Sequence, residues 1–558
     1  MILQQGGDMA RSVSDIVVEQ LGDWGIRYIF GVMGETVLGL LNAVRHQDRI
    51  RFVATQQESM AAFAASAYGK LTGEPAACIA TAGPGAVGLM PGVYDAQYDR
   101  APMLAITGQV RRSWQYEGAW QEIDAHALFE PVTVFNAAAE TAAQAPAVFA
   151  NALQTAVGKQ GVAHVQVPSD LQMMEAVSGP IRPQGHMNWS QAAAGDDSLR
   201  QAARLLAGAS RPVILMGWGA REAREPLLQV AHRLGAPVLT TCRSKGLLPA
   251  SEPLSMGVVG HYGTPLADHF LREADTILVV GCSLSQNTTH EWRLIQPQQQ
   301  LIQIDNDRSR IGQHYAVAVG LWGDAAPTVR RLVPLLPEGP VANEWGDLHA
   351  RKSEFMAQVN PKATDQSVPI KPQFVVRTLQ ETLPADAVIA LDVGDHAYFM
   401  CQQYEPKGEK FVTSYHLASM GFGLPAALAA CLAYPERPAV AVVGDGGLAI
   451  SLGEMITLVE HNLPVTIVCF NNARLGMMNS DEERLAMPPF FTELPQVSFA
   501  QVAQSVGLLG ARVEQPAVLA DAIHQALAAK MPYLIDVAID PLERESTALE
   551  PARAEVRV

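Results

Sequence analysis

The sequence predicts an α/β protein built from three doubly wound parallel-sheet domains. Three observations carry that prediction. Short apolar runs alternate with helix-like stretches from one end of the chain to the other. Two loose segments, SGPIRPQG at 178–185 and LPEGPVANEWG at 336–346, interrupt the alternation. The 558 residues exceed what one hydrophobic core serves. The boundaries read as 1–183, 190–340 and 365–545.

Each block is justified by its own strand-like runs. The first holds YIFGV, RFVAT, AACIAT and PMLAIT, each followed by a loop and a helix-like segment. The second holds PVILMGWGA, PVLTT, TILVVGC and QLIQIDND. The third holds AVIALDVGD, AVAVVGD, PVTIVCFNN and YLIDVAID.

Composition narrows the function classes. Lys and Arg number 40 against 56 Asp and Glu, a net charge of −16. An acidic chain is a poor ligand for nucleic acid or anionic membranes, so neither partner is expected. Six cysteines fall at 78, 242, 282, 401, 431 and 469, with no zinc or redox spacing, and read as reduced buried thiols. The N-terminal MILQQGGDMARSVSD has no signal-peptide pattern and no run spans a bilayer, so a cytoplasmic location is expected. The tail DPLERESTALEPARAEVRV lacks an amphipathic membrane helix.

In open parallel sheets, ligands bind beyond the carboxyl ends of the strands. One strand, AVAVVGD, ends in Asp445 flanked by Gly444, Gly446 and Gly447. Glycines let backbone approach a ligand, and the next helix N-terminus favours an anion such as a phosphate. A carboxylate beside a phosphate needs a cation between them, and a hard one with oxygen ligands fits, Mg²⁺ or Ca²⁺. Asn472 ends the following strand and offers an amide oxygen, and the Arg474 carbonyl two residues on completes a three-ligand set. The stretch reads as a metal–diphosphate clamp.

The order strand, GDGG, helix, strand, NN resembles the signature of thiamine diphosphate enzymes. The resemblance covers almost the whole chain, through GVMGE at 31–35, QQESMAAFAASAYGKLTGEPA at 56–76, TAGPGAVGLMPGVYDAQYDRAPMLAITGQV at 81–110, WQE at 120–122 and SMGFGLPAALAA at 419–430. It is similar to the branch of pyruvate oxidases and acetolactate synthases. The resemblance implies a pyrimidine-binding first domain, a central domain and a diphosphate-binding third domain. It implies that Glu58 bonds N1′ of the cofactor's aminopyrimidine and that Met420 bends the cofactor. The Ala418 carbonyl and Met420 amide then meet the pyrimidine. Pro84 of AGPGA, Val393, Gly394, Asp395 and His396 of VGDH, and Leu475, Gly476 and Met477 beyond the clamp, join the cofactor contacts. Mg²⁺ accompanies thiamine diphosphate in this family, on Asp445, Asn472 and Arg474.

The same resemblance implies a homodimer as the minimum active unit and a homotetramer as the expected assembly, because the cofactor spans first and third domains of different subunits. The substrate implied is a 2-oxo acid, with pyruvate favoured by Met477 and its neighbour. Gln121 lies in the substrate-side segment. Asp481 stands where acetolactate synthases carry a Trp and pyruvate oxidases an acid, which favours oxidation of the enamine left after CO₂ departs. Carboligation, simple decarboxylation and a non-catalytic homologue stay open. FAD is a candidate for the central domain through GWGAR at 217–221, GHYGT at 260–264 and IDND at 304–307. GCSLSQNTTHEW lacks the RFDDR pattern common in acetolactate synthases, which keeps the flavin open too.

Overall fold

The computed structural model describes residues 11–185, 190–339, 341–359 and 361–544. The tail beyond Arg544, the first ten residues, and the domain limits 340 and 545 lie outside the described residues. Three six-stranded sheets organise the chain, and every strand pair in them is parallel.

The first sheet contains β1 (Tyr28–Gly31), β2 (Arg51–Ala54), β3 (Ala76–Ala80), β4 (Met103–Gln109), β5 (Phe135–Ala138) and β6 (Val162–Pro168), in the order β2-β1-β3-β4-β6-β5. The central sheet contains β7 (Pro212–Met216), β8 (Val238–Thr240), β9 (Ser255–Val258), β10 (Thr276–Val280), β11 (Gln300–Asp305) and β12 (Val319–Trp322), in the order β12-β11-β10-β7-β8-β9. The third contains β13 (Val388–Leu391), β14 (Lys410–Thr413), β15 (Ala439–Gly444), β16 (Thr466–Asn471), β17 (Leu509–Val513) and β18 (Tyr533–Ala538), in the order β14-β13-β15-β16-β18-β17.

Renumbered from their own first strands, the first and third sheets have one order, 2-1-3-4-6-5. They share a topology although no sequence repeat announces it. The central sheet has the 3-2-1-4-5-6 order of dinucleotide-binding folds. A sheet of this kind opens a crevice where consecutive connections leave in opposite directions. In the third sheet that point lies between β13 and β15. In the first it lies between β1 and β3, and in the central sheet between β7 and β10.

The first and third domains share one hydrophobic core. Helix Glu58–Thr72 packs on helix Gly423–Ala433, and both are rich in buried alanine, which lets the backbones approach closely. Phe63 meets Phe422 edge to face at 5.8 Å between ring centres. Tyr28 Oη donates to the Leu432 carbonyl, and Tyr434 Oη donates to the Leu71 carbonyl at 2.7 Å.

All three domains meet at a buried ionic knot. Lys70 Nζ lies 2.7 Å from both Asp95 and Asp99 and donates to the Thr413 carbonyl. Arg243 of the central domain pairs with Asp99 and donates to its carbonyl oxygen. From the third domain, the Tyr415 and His416 amides and the His416 ring bond the Asp99 carboxylate. Its cations hold Asp99 well below the usual carboxylate range despite burial.

Candidate active site

The third sheet brings the residues expected to form the clamp to the carboxyl ends of β13, β15 and β16. β13 delivers Val393, Gly394, Asp395 and His396, and β15 delivers Gly444 and Asp445. Asp445 begins helix Asp445–Ile450 and is buried. Its Oδ1 accepts the Gly446 amide at 2.9 Å, while its Oδ2 is buried without a partner. Burial, with the nearby charge of Asp395, pushes its pKa up to about 7. Burial also raises Asp395. The buried Asp445 carboxylate, with one orphaned oxygen and the half-buried Asp395 beside it, forms the environment a divalent cation relieves.

Asn472 ends the neighbouring strand. Its Nδ2 donates to Asp395 Oδ2 at 3.2 Å, and its Oδ1 accepts the Arg474 amide at 3.0 Å. One lone pair of that oxygen stays available. Ala473 takes a left-handed φ of 53°, and the Leu475 and Leu494 amides tie this turn to the 492–494 segment. The turn fixes where the Arg474 carbonyl, Leu475, Gly476 and Met477 lie. A Cβ on Gly476 would strike Asp395 Oδ2, so any larger residue here would have to displace the Asp395 side chain.

His396 is fully buried, and neither ring nitrogen has a partner. Burial lowers its pKa to about 3, so the imidazole is neutral. It packs against Gly394 and Gly444. Met420 Cε, Leu475 and Leu494 surround the place a Cβ of Gly446 would occupy. Gly447 abuts the Asp392 carboxylate. Ala418 takes φ 53° and Gly421 φ 86°, a turn secured by the Ser419 amide donating to Ser414 Oγ at 3.0 Å.

Asp392 was not foreseen. Its carboxylate accepts the amides of Gly421 and Phe422, both at 3.1 Å, and of Val393 at 2.9 Å. It therefore hangs the Met420 turn from the end of β13. Burial pushes its pKa up to about 6. The signal available in the sequence was an acid closing the apolar run AVIAL, one residue before VGDH.

The first domain supplies a separate group. Glu58 begins helix Glu58–Thr72, and its carboxylate has no hydrogen-bond partner among the described residues. Gly85 and Gly88 of the Pro84–Gly88 helix lie against it, and Pro84 is exposed at that helix's first position. Gln121, at φ 65°, packs its backbone on Gly83. Among the described residues, no hydrogen bond links Glu58 to the Asp445 group within one chain. Asp481 lies on the lid helix Gly476–Arg484 and pairs with Arg484.

In the central domain, the Gly217 and Gly219 amides donate to the carbonyls of Val280 and Gly281 across the switch point. Trp218 lies beside Arg221 and Arg243 there, with cation–ring distances of 5.6 and 5.5 Å. No described helix is long and apolar enough to cross a membrane.

Three family models match the chain. The thiamine pyrophosphate enzyme N-terminal TPP binding domain matches residues 11–128, the central domain 199–332, and the C-terminal TPP binding domain 392–537. The chain is 33% identical over 537 residues to a putative thiamine pyrophosphate-containing protein YdaP of Bacillus subtilis, covering 95% of this chain and 92% of that one. It is 31% identical to a probable acetolactate synthase large subunit of Methanocaldococcus jannaschii, over 98% and 96% of the two chains. It is 28% identical to a pyruvate oxidase of Lactiplantibacillus plantarum, over 99% and 93%.

Proposed function

The chain belongs to the thiamine pyrophosphate enzyme family, and from that premise we propose that it decarboxylates a 2-oxo acid, with pyruvate as the first candidate, and that the remaining two-carbon unit is oxidised. One observation carries the reading. The buried, half-unpartnered Asp445 carboxylate stands beside Asp395 at the switch point of a sheet, a donor set suited to Mg²⁺ and a diphosphate.

Asp445, Asn472 and the Arg474 carbonyl would hold the metal. Gly444, Gly446, Gly447, the 393–396 segment, Leu475, Gly476 and Met477 would hold the diphosphate, and neutral His396 can donate to it. Met420 and Ala418 would seat the pyrimidine. When bound, thiamine diphosphate would supply a nucleophilic carbon and a cationic thiazolium ring to take up the electrons released as CO₂ departs. Glu58 would hold and move the proton at the pyrimidine N1′ position. Gln121 and Met477 would line the substrate side.

A second copy of the chain completes the site in this reading. The Glu58 group and the Asp445 group lie in different domains. The segment before Gln121 exposes Tyr116 (96%) and Trp120 (79%), apolar surface that a homodimer would cover. A homotetramer is the larger assembly proposed.

Carboligation is the second reading. Asp481 is tied to Arg484, which weakens its case as a free acid at the substrate. Relatives named acetolactate synthase stand as near as the pyruvate oxidase. The central sheet's order, with Trp218, Arg221 and Arg243 at its switch point, suits a dinucleotide such as FAD, although Arg243 is already engaged by Asp99. An absorption spectrum, followed by pyruvate without oxygen, separates these readings. Flavin bands that bleach support oxidation. Bands that persist while pyruvate is consumed support carboligation. Pyruvate left untouched overturns both.

A further inference from the structure

Two thiols meet across the boundary between the central and third domains. Cys242 opens the short turn Cys242–Ser244 after β8, and Cys401 lies near the end of helix Asp395–Gln403. Their sulphurs are 3.2 Å apart, although 159 residues separate them in sequence. Both are buried and neither is in a disulfide. The Cys242 turn is firmly held. The Thr241 amide donates to Ser244 Oγ at 2.7 Å, and Ser244 Oγ donates to the Met216 carbonyl at 2.7 Å.

A cation sits beside the pair. Lys245 Nζ is buried and donates to the carbonyls of Cys401 and Tyr404 at 2.9 and 2.8 Å. It forms no ion pair among the described residues. The two thiols are therefore unequal. Lys245 Nζ is anchored on the Cys401 backbone, and the contact between the two sulphurs together with that charge holds Cys401 below the ordinary thiol range. One sulphur is set up as nucleophile and the other as its proton-bearing neighbour. A cavity of about 50 Å³, lined in part by Cys401, Lys245, Lys352 and Tyr404, gives a small molecule room at that nucleophile.

We infer that Cys242 and Cys401 are a modification site, a dithiol that a peroxide converts to an interdomain disulfide. The Cys401 thiolate attacks one peroxide oxygen. The O–O bond breaks, and the departing hydroxide takes a proton and leaves as water. Cys401 is then a sulfenic acid. The Cys242 sulphur attacks the Cys401 sulphur, the S–S bond forms and the S–O bond breaks. The hydroxyl leaves as a second water with the Cys242 proton. Two thiols have lost two electrons, and one peroxide has become two waters.

The position gives the modification a consequence. Helix Asp395–Gln403 starts at Asp395 and His396 in the clamp and ends beside Cys401. The disulfide would tether its far end to the central domain. The inference does not depend on which reaction the active site performs.

The test treats the purified full-length chain with hydrogen peroxide in small molar excess, then counts thiols and maps non-reduced peptides. The expected result is loss of two of the six thiols and one cross-linked peptide joining 242 and 401. The mass should fall by about 2 Da, and dithiothreitol should restore it. Cys401→Ser should abolish the thiol loss. Cys242→Ser should stop at a sulfenic acid on Cys401 that dimedone traps. Retention of all six thiols, cross-linking of another pair, or advance of wild-type Cys401 to a sulfinic acid would each overturn the inference. If a serine variant does not fold, the wild-type peptide map still decides.

Discussion

The Glu454 carboxylate accepts the backbone amide of Gln56 at 3.0 Å. Glu454 begins the second helix after the Asp445 clamp, and Gln56 lies two residues before Glu58. The third domain thus holds the backbone just before the helix that presents Glu58. Neither residue is near the other in sequence.

This contact gives a stability signature. Burial pushes Glu454 from the ordinary 4.5 up to about 7. The folded chain then holds a proton that the unfolded chain releases. Its contribution is greatest below pH 4.5 and is lost as pH rises to about 7. Glu454→Gln keeps an oxygen for the Gln56 amide but cannot titrate. Thermal midpoints across that interval should fall with pH more steeply in wild type than in the variant. Equal slopes would mean that Glu454 is not the titrating group.

Glu58→Gln is expected to keep thiamine diphosphate bound, because Glu58 lies outside the clamp. Loss of the proton carrier should slow exchange of the cofactor's C2 hydrogen by about a hundredfold or more. Quenched-flow proton NMR in D₂O reads this without knowledge of the substrate. Wild-type exchange in the variant would remove Glu58 from the mechanism.

Asp445→Ala should release both metal and cofactor. Partners that only orient a metal ligand are worth about 10–100-fold in affinity, so losing a direct ligand should exceed that. The same substitution removes a buried charge beside Asp395, so the unliganded variant should be at least as stable as wild type. Titration calorimetry and thermal unfolding together check both halves. Unchanged affinity would show that the clamp lies elsewhere.

Much of this site was legible because its chemistry is concentrated at strand ends. Asp445, Asn472 and Glu58 each close or follow an apolar run, and the structure puts the first two at the ends of adjacent strands, β15 and β16. Twelve strand-like runs were visible as apolar stretches. Six further strands, β5, β6, β9, β12, β14 and β17, were not; in β6, His164 and Gln166 interrupt the run, and His164 is satisfied inside the fold by Thr107 and Asn136. The partners of Asp392, of Glu454 and of the two thiols Cys242 and Cys401 were illegible for another reason. They lie far away in sequence or are backbone amides, which carry no residue signature. The pairing of Asp481 with Arg484 could have been read from its i,i+3 spacing on the lid helix.

The ionic knot between the domains supplies the last prediction. Lys70 is the cation on Asp95, whose other side-chain partner is Ser66 at 2.6 Å. Asp99 also has Arg243 and His416. Lys70→Met therefore strands Asp95 more than Asp99, and burial already raises the Asp95 pKa. Breaking a buried pair from one side costs about 3–5 kcal/mol, so the unfolding midpoint should fall sharply. Adding Asp95→Asn removes the stranded charge and should recover a large part of the loss. The rescue separates an electrostatic cause from lost packing, since Lys70 also lies 4.4 Å from the Phe422 ring. A double variant no more stable than Lys70→Met would assign the effect to that packing. It would also place the knot's strength in Asp99, where the three domains converge.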